Sequence, residues 1–350
     1  MNETVADLID QQDLLIDQRN RPLQDLRISL TDKCNFRCPY CMPKEIFKAG
    51  YKFLDQQAIL SASEIIRLAL IFKDLGINKI RLTGGEPTLR NDLLTIISEL
   101  AKIPDLEIAM TTNGTRLQEL ALPLREAGLD RITVSLDAVD AATFEKMNDV
   151  SVPLEKVLAG LDSARNAGFS PIKINTVVRK NWNDKTIIQL INHFRNTGDI
   201  VRFIEYMDVG STNGWNMSDT VPTKELLTTI NNHFPIVPAD TNYVGEVAKR
   251  YQFIDGSGEI GFITSVTQPF CGTCTRARVS ADGKLYTCLF STAASIDLAN
   301  LLRTEQDNAL ILEKIGTVWK NRTDRYSEIR SQIDSGGDHK NKVEMSYIGG

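Results

Sequence analysis

Short apolar runs alternate with longer amphipathic ones from residue 26 to about residue 210. Runs at 26–30, 79–82, 107–111, 131–136, 172–178 and 201–206 have the length and composition of strands. Between them, apolar residues recur at three- and four-residue steps over 63–75, 92–102, 117–127, 153–167 and 184–197, the period of an amphipathic helix. Ser63 is a candidate N-cap, and Gly76, Gly128 and Gly168 are placed to end helices. Strands alternating with helices imply a parallel sheet with right-handed crossovers. Six such units predict an α/β fold built on an incomplete (β/α)6 TIM-like barrel. A doubly wound sheet has the same periodicity and stays open as an alternative. In either fold, ligands are expected beyond the carboxyl ends of the strands.

The pattern differs at both ends. Residues 1–25 are expected to be a mobile or loosely packed lead-in to the partial barrel of 26–210. Beyond it, 242–290 holds short strand-like runs with turns at Asp255-Gly256, Ser257-Gly258 and Asp282-Gly283, and 296–334 reads as helix. A C-terminal α+β extension over 211–334 is therefore predicted, followed by a polar tail, 335–350, ending Gly349-Gly350.

Charge and cysteine usage narrow the chemistry. A net charge of −5 argues against a nucleic-acid binder. No apolar run is long enough to span a bilayer, and the acidic N-terminus lacks a signal-peptide pattern. A cytoplasmic, non-membrane protein is expected, in which clustered cysteines mean metal or catalysis. All six cysteines fall into two triplets: Cys34, Cys38 and Cys41 (C-x3-C-x2-C), and Cys271, Cys274 and Cys288 (C-x2-C-x13-C). Each is one thiolate short of a closed four-cysteine site. No histidine lies near either triplet; His193, His233 and His339 are the only three. Ligand count favours two [4Fe–4S] clusters, each with one open iron, over zinc. The first triplet follows the first strand, and other unusual residues also follow strands: Gly84-Gly85-Glu86-Pro87, Thr112-Asn113-Gly114, Ser135 with Asp137, and Met207-Asp208.

Cations also sit where strands should be apolar: Arg27, Lys79, Arg81, Lys173 and Arg202. A buried cation is costly unless it meets an anion. Arg276 and Arg278 alternate and so share a face. Together they suggest a cationic lumen. The remaining candidates are expected to be structural or on the surface: His193, His233, Trp182, Trp215, Trp319 and the charges of 320–330, read as a solvated helix face.

Cys34-Asn35-Phe36-Arg37-Cys38-Pro39-Tyr40-Cys41 with Gly84-Gly85-Glu86-Pro87 resembles the radical S-adenosylmethionine (SAM) superfamily. Phe270-Cys271-Gly272-Thr273-Cys274-Thr275-Arg276-Ala277-Arg278, Cys288 and the double-glycine terminus resemble its branch that cyclises GTP in molybdenum-cofactor biosynthesis. The resemblance implies that Cys34, Cys38 and Cys41 hold the cluster that binds SAM. Tyr40, Gly85, Ser135 and Met207 are then SAM contacts. Arg27, Arg81, Thr112, Lys173, Arg276, Ala277 and Arg278 are GTP contacts, with Lys79 and Arg202 as further phosphate contacts. Gly349 and Gly350 thread into the active site. The second cluster faces guanine, and a 5′-deoxyadenosyl radical takes hydrogen from ribose C3′ before C3′ bonds to C8. An external one-electron donor is required, and cyclic pyranopterin monophosphate synthase acts downstream. Monomer and homodimer both remain open. A radical SAM enzyme acting on a peptide is the alternative reading.

Overall fold

The computed structural model describes residues 14–243, 245–333 and 342–350. Six parallel strands stand side by side in chain order: β1 (Asp25–Ser29), β2 (Lys79–Thr83), β3 (Glu107–Thr112), β4 (Arg131–Ser135), β5 (Lys173–Val178) and β6 (Ile200–Glu205). The chain returns between them through α1 (Ala62–Asp74), α2 (Leu93–Leu100), α3 (Leu117–Glu126), α4 (Ala141–Asn148), α5 (Leu154–Asn166) and α6 (Ile187–Phe194). The strand order never reverses, which excludes the doubly wound alternative. Right-handed crossovers in one direction put the helices on one face, so the sheet curls into a partial barrel. The α4 helix was not anticipated; its eight residues carry little apolar periodicity, and it starts from the side-chain cap of Asp140.

Later strands do not form a separate layer. They extend the same sheet at both edges. After α7 (Thr223–His233) come β7 (Ile236–Ala239), β8 (Lys249–Phe253), β9 (Glu259–Ile263), β10 (Arg276–Val279), β11 (Lys284–Tyr286) and β12 (Ile296–Asp297). β9 pairs parallel to β6, and β10 parallel to β1. β12 and β7 are the two edges of the twelve-stranded sheet.

Alternation along the strands explains the charges. Leu26, Ile28, Ile80, Leu82, Ile108, Met110, Ile132, Val134, Ile174, Val201 and Phe203 are buried in the core. The intervening positions Arg27, Arg81, Arg131, Lys173 and Arg202 are half-buried on the opposite, concave face.

Three local expectations are corrected. The N-cap of α1 is Ser61, not Ser63. Its hydroxyl accepts from Glu64 N (3.2 Å) while the Glu64 carboxylate accepts from Ser61 N (2.7 Å), a reciprocal box that needs the acidic residue three positions on. The lead-in is packed from Asp17: Leu23 is fully buried and Asp17 and Arg21 form a buried ion pair, while Leu14 and Ile16, which bridges Pro22, stay exposed. Residues 1–13 lie outside the described residues, as do His339 and 334–341 of the tail. The 320–330 segment is only partly a solvated face: Lys320, Arg325 and Glu328 are exposed. It breaks between α9 (Asn308–Lys320) and α10 (Tyr326–Ile333), after α8 (Leu298–Thr304), and buries Arg322 and Arg330. His193 and His233 are exposed, as expected, and Trp319 is core.

Candidate active site

A cavity of about 330 Å³ lies on the concave face, and all six cysteines line it. Tyr40, Gly85, Ser135, Met207, Arg27, Lys79, Arg81, Thr112, Arg202, Arg276, Arg278 and Gly350 line it too. Three expected contacts do not. Lys173 lies on the concave face one step before the lining residue Asn175. Ala277 points the other way, into the core, because β10 alternates. Gly349, ahead of Gly350 and after α11 (Met345–Ile348), does not line it; its carbonyl accepts from the lining residue Arg278, at Nη1.

The first triplet follows β1 and is held by the loop after β2. Gly85 N donates to Thr31 O (2.7 Å) and Glu86 N to Lys33 O (2.8 Å). A Cβ on Gly84 or Gly85 would overlap those same carbonyl oxygens. The two glycines therefore bring this loop against the cysteine loop as well as facing the cavity. Glu86 is buried and accepts from Thr88 N (3.1 Å), Thr88 Oγ1 (2.6 Å), Thr112 Oγ1 (2.7 Å) and Asn113 N (2.7 Å). The Thr112 hydroxyl is thus committed to Glu86. Asn113 Nδ2 donates to Asn35 Oδ1 (2.7 Å), closing the network on the cysteine loop. Tyr40 Oη donates to Asp137 Oδ2 (2.7 Å), and burial pushes the Asp137 carboxyl up to about 7. Burial, then Glu86, push the Cys34 thiol up to about 12; burial also raises Cys38 and Cys41. Thiolates here require added positive charge, such as iron.

In the second triplet, Cys274 has that charge from the protein. Arg276 Nη2 lies 3.2 Å and Arg322 Nη2 3.3 Å from Cys274 Sγ. Burial raises this thiol, but the two guanidiniums more than reverse that, to about 6. Desolvation pushes the Cys288 thiol up to about 12. Arg21 Nη1 donates to Cys271 O (2.8 Å), while its buried Nη2 has no acceptor in the protein. An unmet donor in a guanidinium beside three thiols fits a group that carries acceptor sulfur. Sequence reasoning missed Arg21 and Arg322, which lie in the lead-in and the supposed solvated face, with no local signal.

Cations crowd the lower, amino-terminal half of the cavity. Register aligns Arg278, Arg27 and Arg81 across β10, β1 and β2. Arg81 Nη1 reaches only the hydroxyls of Thr111 and Thr133 (3.3 and 3.2 Å), and Arg202 Nε the amide of Asn175 (2.9 Å). Arg27 has no hydrogen bond or ion pair among the described residues. Glu107 pairs with Lys79 (2.9 Å) and Arg131 (3.0 Å). Burial, then neighbouring arginines, push Arg27 well down, Arg202 to about 9 and Arg278 to about 10. Lys173 falls to about 7 by burial and by Arg202. Such a cluster suits a buried polyanion.

Residues 28–194 match the family model of the Radical SAM superfamily, and 199–328 that of Molybdenum Cofactor Synthesis C. A GTP 3′,8-cyclase of Acidothermus cellulolyticus is 48% identical, over 95% of this chain and 98% of that protein. One of Staphylococcus haemolyticus is 44% identical, over 95% and 98%. The chain belongs to the GTP 3′,8-cyclase family of radical SAM enzymes. Membership sets aside zinc: members use SAM and iron–sulfur chemistry, and the cysteines for it are present and free of disulfides. Among solved structures, SuiB of Streptococcus suis bound to SAM has a TM-score of 0.58 at 16% identity, over 93% of this chain and 74% of that one. Native anSMEcpe with AdoMet and the Cp18Cys peptide has a TM-score of 0.54 at 15% identity, over 93% and 94%. At these identities the likeness concerns the fold. Among the described residues no helix is long and apolar enough to cross a membrane.

Proposed function

We propose that this enzyme, a lyase, converts GTP to (8S)-3′,8-cyclo-7,8-dihydroguanosine 5′-triphosphate, the first step of molybdenum-cofactor biosynthesis. One observation carries the reading: two thiol triplets and an unneutralised group of arginines share one cavity. Cys34, Cys38 and Cys41 hold a [4Fe–4S] cluster, with Tyr40, Gly85, Ser135 and Met207 around SAM. Cys271, Cys274 and Cys288 hold a second. When bound, the first cluster with SAM supplies the radical that begins the reaction.

The chain's own residues bind and orient. Arg27, Arg81, Arg276 and Arg278, with Lys79 and Arg202, hold the triphosphate, and Lys173 supports their field from beside the cavity. Ribose then lies between the two metal sites. The protein also excludes water, and among the described residues no histidine lines the cavity. Gly349 and Gly350 close the cavity beside Arg278. The reading divides the chain into a packed lead-in, a radical SAM unit over 26–210, a second-site unit over 211–334 and the tail. It calls for an external one-electron donor, a cytoplasmic setting and cyclic pyranopterin monophosphate synthase as consumer of the product.

Anaerobic reconstitution with SAM, GTP and a reductant, followed by product identification, tests substrate and reaction together. Cys271→Ala should still cleave SAM but yield no cyclised product. Full GTP turnover by that variant would sink the role given to the second triplet.

A further inference from the structure

Behind the second triplet lies a buried group of charges that the proposed reaction does not use. The side chains of Asp17, Arg21 and Arg322 are each at most 1% exposed. Arg21 Nε donates to Asp17 Oδ2 at 2.6 Å, and Arg322 Nη1 lies 3.5 Å from the same oxygen. Asp17 Oδ1 accepts from the backbone N–H of Arg19 (2.8 Å) and of Arg21 (3.0 Å), so the carboxylate is fixed in turn. Arg322 Nε also meets Asp324 at 3.2 Å. Buried ion pairs of this kind are weak evidence for stability, because desolvation offsets their attraction. Where the other N–H groups go is more informative.

They go largely to the triplet. Arg21 Nη1 donates to Cys271 O (2.8 Å) and Asp324 O (2.7 Å). Arg322 Nη1 donates to Cys274 O (2.8 Å) and Nη2 to Cys274 Sγ (3.3 Å). Arg21 Nη2 is buried with no acceptor, and Arg21 lines the cavity with Cys271. Two guanidiniums from opposite ends of the chain therefore converge on two ligand cysteines.

We infer that Arg21 and Arg322, held by Asp17, are positioning residues of the second iron–sulfur site, fixing Cys271 and Cys274 and donating to sulfur so that the reduced state is favoured. This rests on the reading that Cys271, Cys274 and Cys288 hold a cluster. Hydrogen bonds to sulfur and net charge set cluster potentials, and a reduced cluster, being more negative, gains more from nearby cations. Arg276 also reaches Cys274, and both arginines line the cavity, but Arg322 is the more deeply buried and its N–H groups are committed to Asp324, Asp17 and Cys274. Arg322 is the residue that separates tuning from substrate binding.

The test uses a chain in which Cys34, Cys38 and Cys41 are all alanine, reconstituted anaerobically without SAM or GTP. About four irons per chain in this background test the underlying reading by itself. Arg322→Gln should then shift the reduction equilibrium about tenfold toward the oxidised form, which is about 59 mV for one electron, in a titration followed by electron paramagnetic resonance. Asp17→Asn should shift it the same way, and Arg322→Lys should recover part of the change. Retained iron at an unchanged potential in Arg322→Gln overturns the inference. Loss of iron that Arg322→Lys fails to reverse also overturns it, because the role would then be structural only.

Discussion

Replacing Glu86 with glutamine removes one charge and almost no volume, so it isolates what the carboxylate does. Oε1 accepts three hydrogen bonds, from Thr88 N, Thr88 Oγ1 and Thr112 Oγ1, and Oε2 accepts one from Asn113 N. Glutamine has one oxygen, and whichever way its amide turns, the NH2 meets a donor. The least costly orientation keeps the three bonds at Oε1 and opposes the NH2 to the Asn113 N–H. One charge-assisted bond of about 1.5–3 kcal/mol is lost, and a buried N–H is left unmet at about 1–3 kcal/mol. Burial pushes the Glu86 carboxyl up from its ordinary value, so a neutral side chain recovers part of that cost. A net loss of about 2–4 kcal/mol follows. Urea unfolding of the metal-free chain should show it as a lower midpoint at unchanged slope. Asn113 also holds Asn35 in the cysteine loop, so the reconstituted variant should release iron from the first site before the second. A loss below about 0.5 kcal/mol, within the ordinary range for surface changes, would refute this account of Glu86.

Further predictions concern both ends of the cavity. Gly85→Ala puts a Cβ against the Lys33 carbonyl, which is backbone and cannot turn aside; the loops must separate, and iron at the first triplet should fall by at least half while the second is retained. With its free-state value near 7, Lys173 should take up a proton when a triphosphate binds. GTP affinity should be independent of this group below that pH and weaken as pH rises above it. Calorimetry in buffers of different ionisation enthalpy measures the uptake, and equal uptake by Lys173→Met would disprove it. Ser61→Ala removes the capping box of α1 and should cost about 0.5–2 kcal/mol in the same unfolding assay.

What the sequence disclosed depended on the range of the interactions. The six barrel strands were legible because each is a short apolar run beside a periodic helix, and their observed bounds differ from the expected ones by one residue at most ends. The cationic lumen was legible because a charge in a strand is locally anomalous. Packing partners far apart in sequence were not. Arg322 lies in a charged stretch that resembles a solvent face until Asp17 and Cys274, 305 and 48 residues away, meet it. Similarly, Ala277 was counted with its arginine neighbours until the two-residue alternation of β10 turned it into the core. The edge strands also looked like a separate unit, because β10 follows β9 in sequence yet lies across the barrel opening from it.

Strand direction sets the two cysteine triplets apart. Cys34 follows the carboxyl end of β1, whereas Cys274 precedes β10, which runs parallel to β1 with Arg276 level with Asp25. Thiols of the second triplet therefore lie near the amino ends of the strands, and those of the first beyond the carboxyl ends. From the level of Asp25 to that of Ser29 the strand rises about 13 Å at about 3.3 Å per residue. A substrate that reaches both sites must lie along the strands, past Arg27 and Arg81. A neutral peptide crossing that interval would bring no anion to the half-buried guanidiniums of Arg27 and Arg81. A nucleotide can meet them with its phosphates while its ribose and base face the two triplets. What favours a nucleotide over a peptide here is the row of arginines between the two triplets.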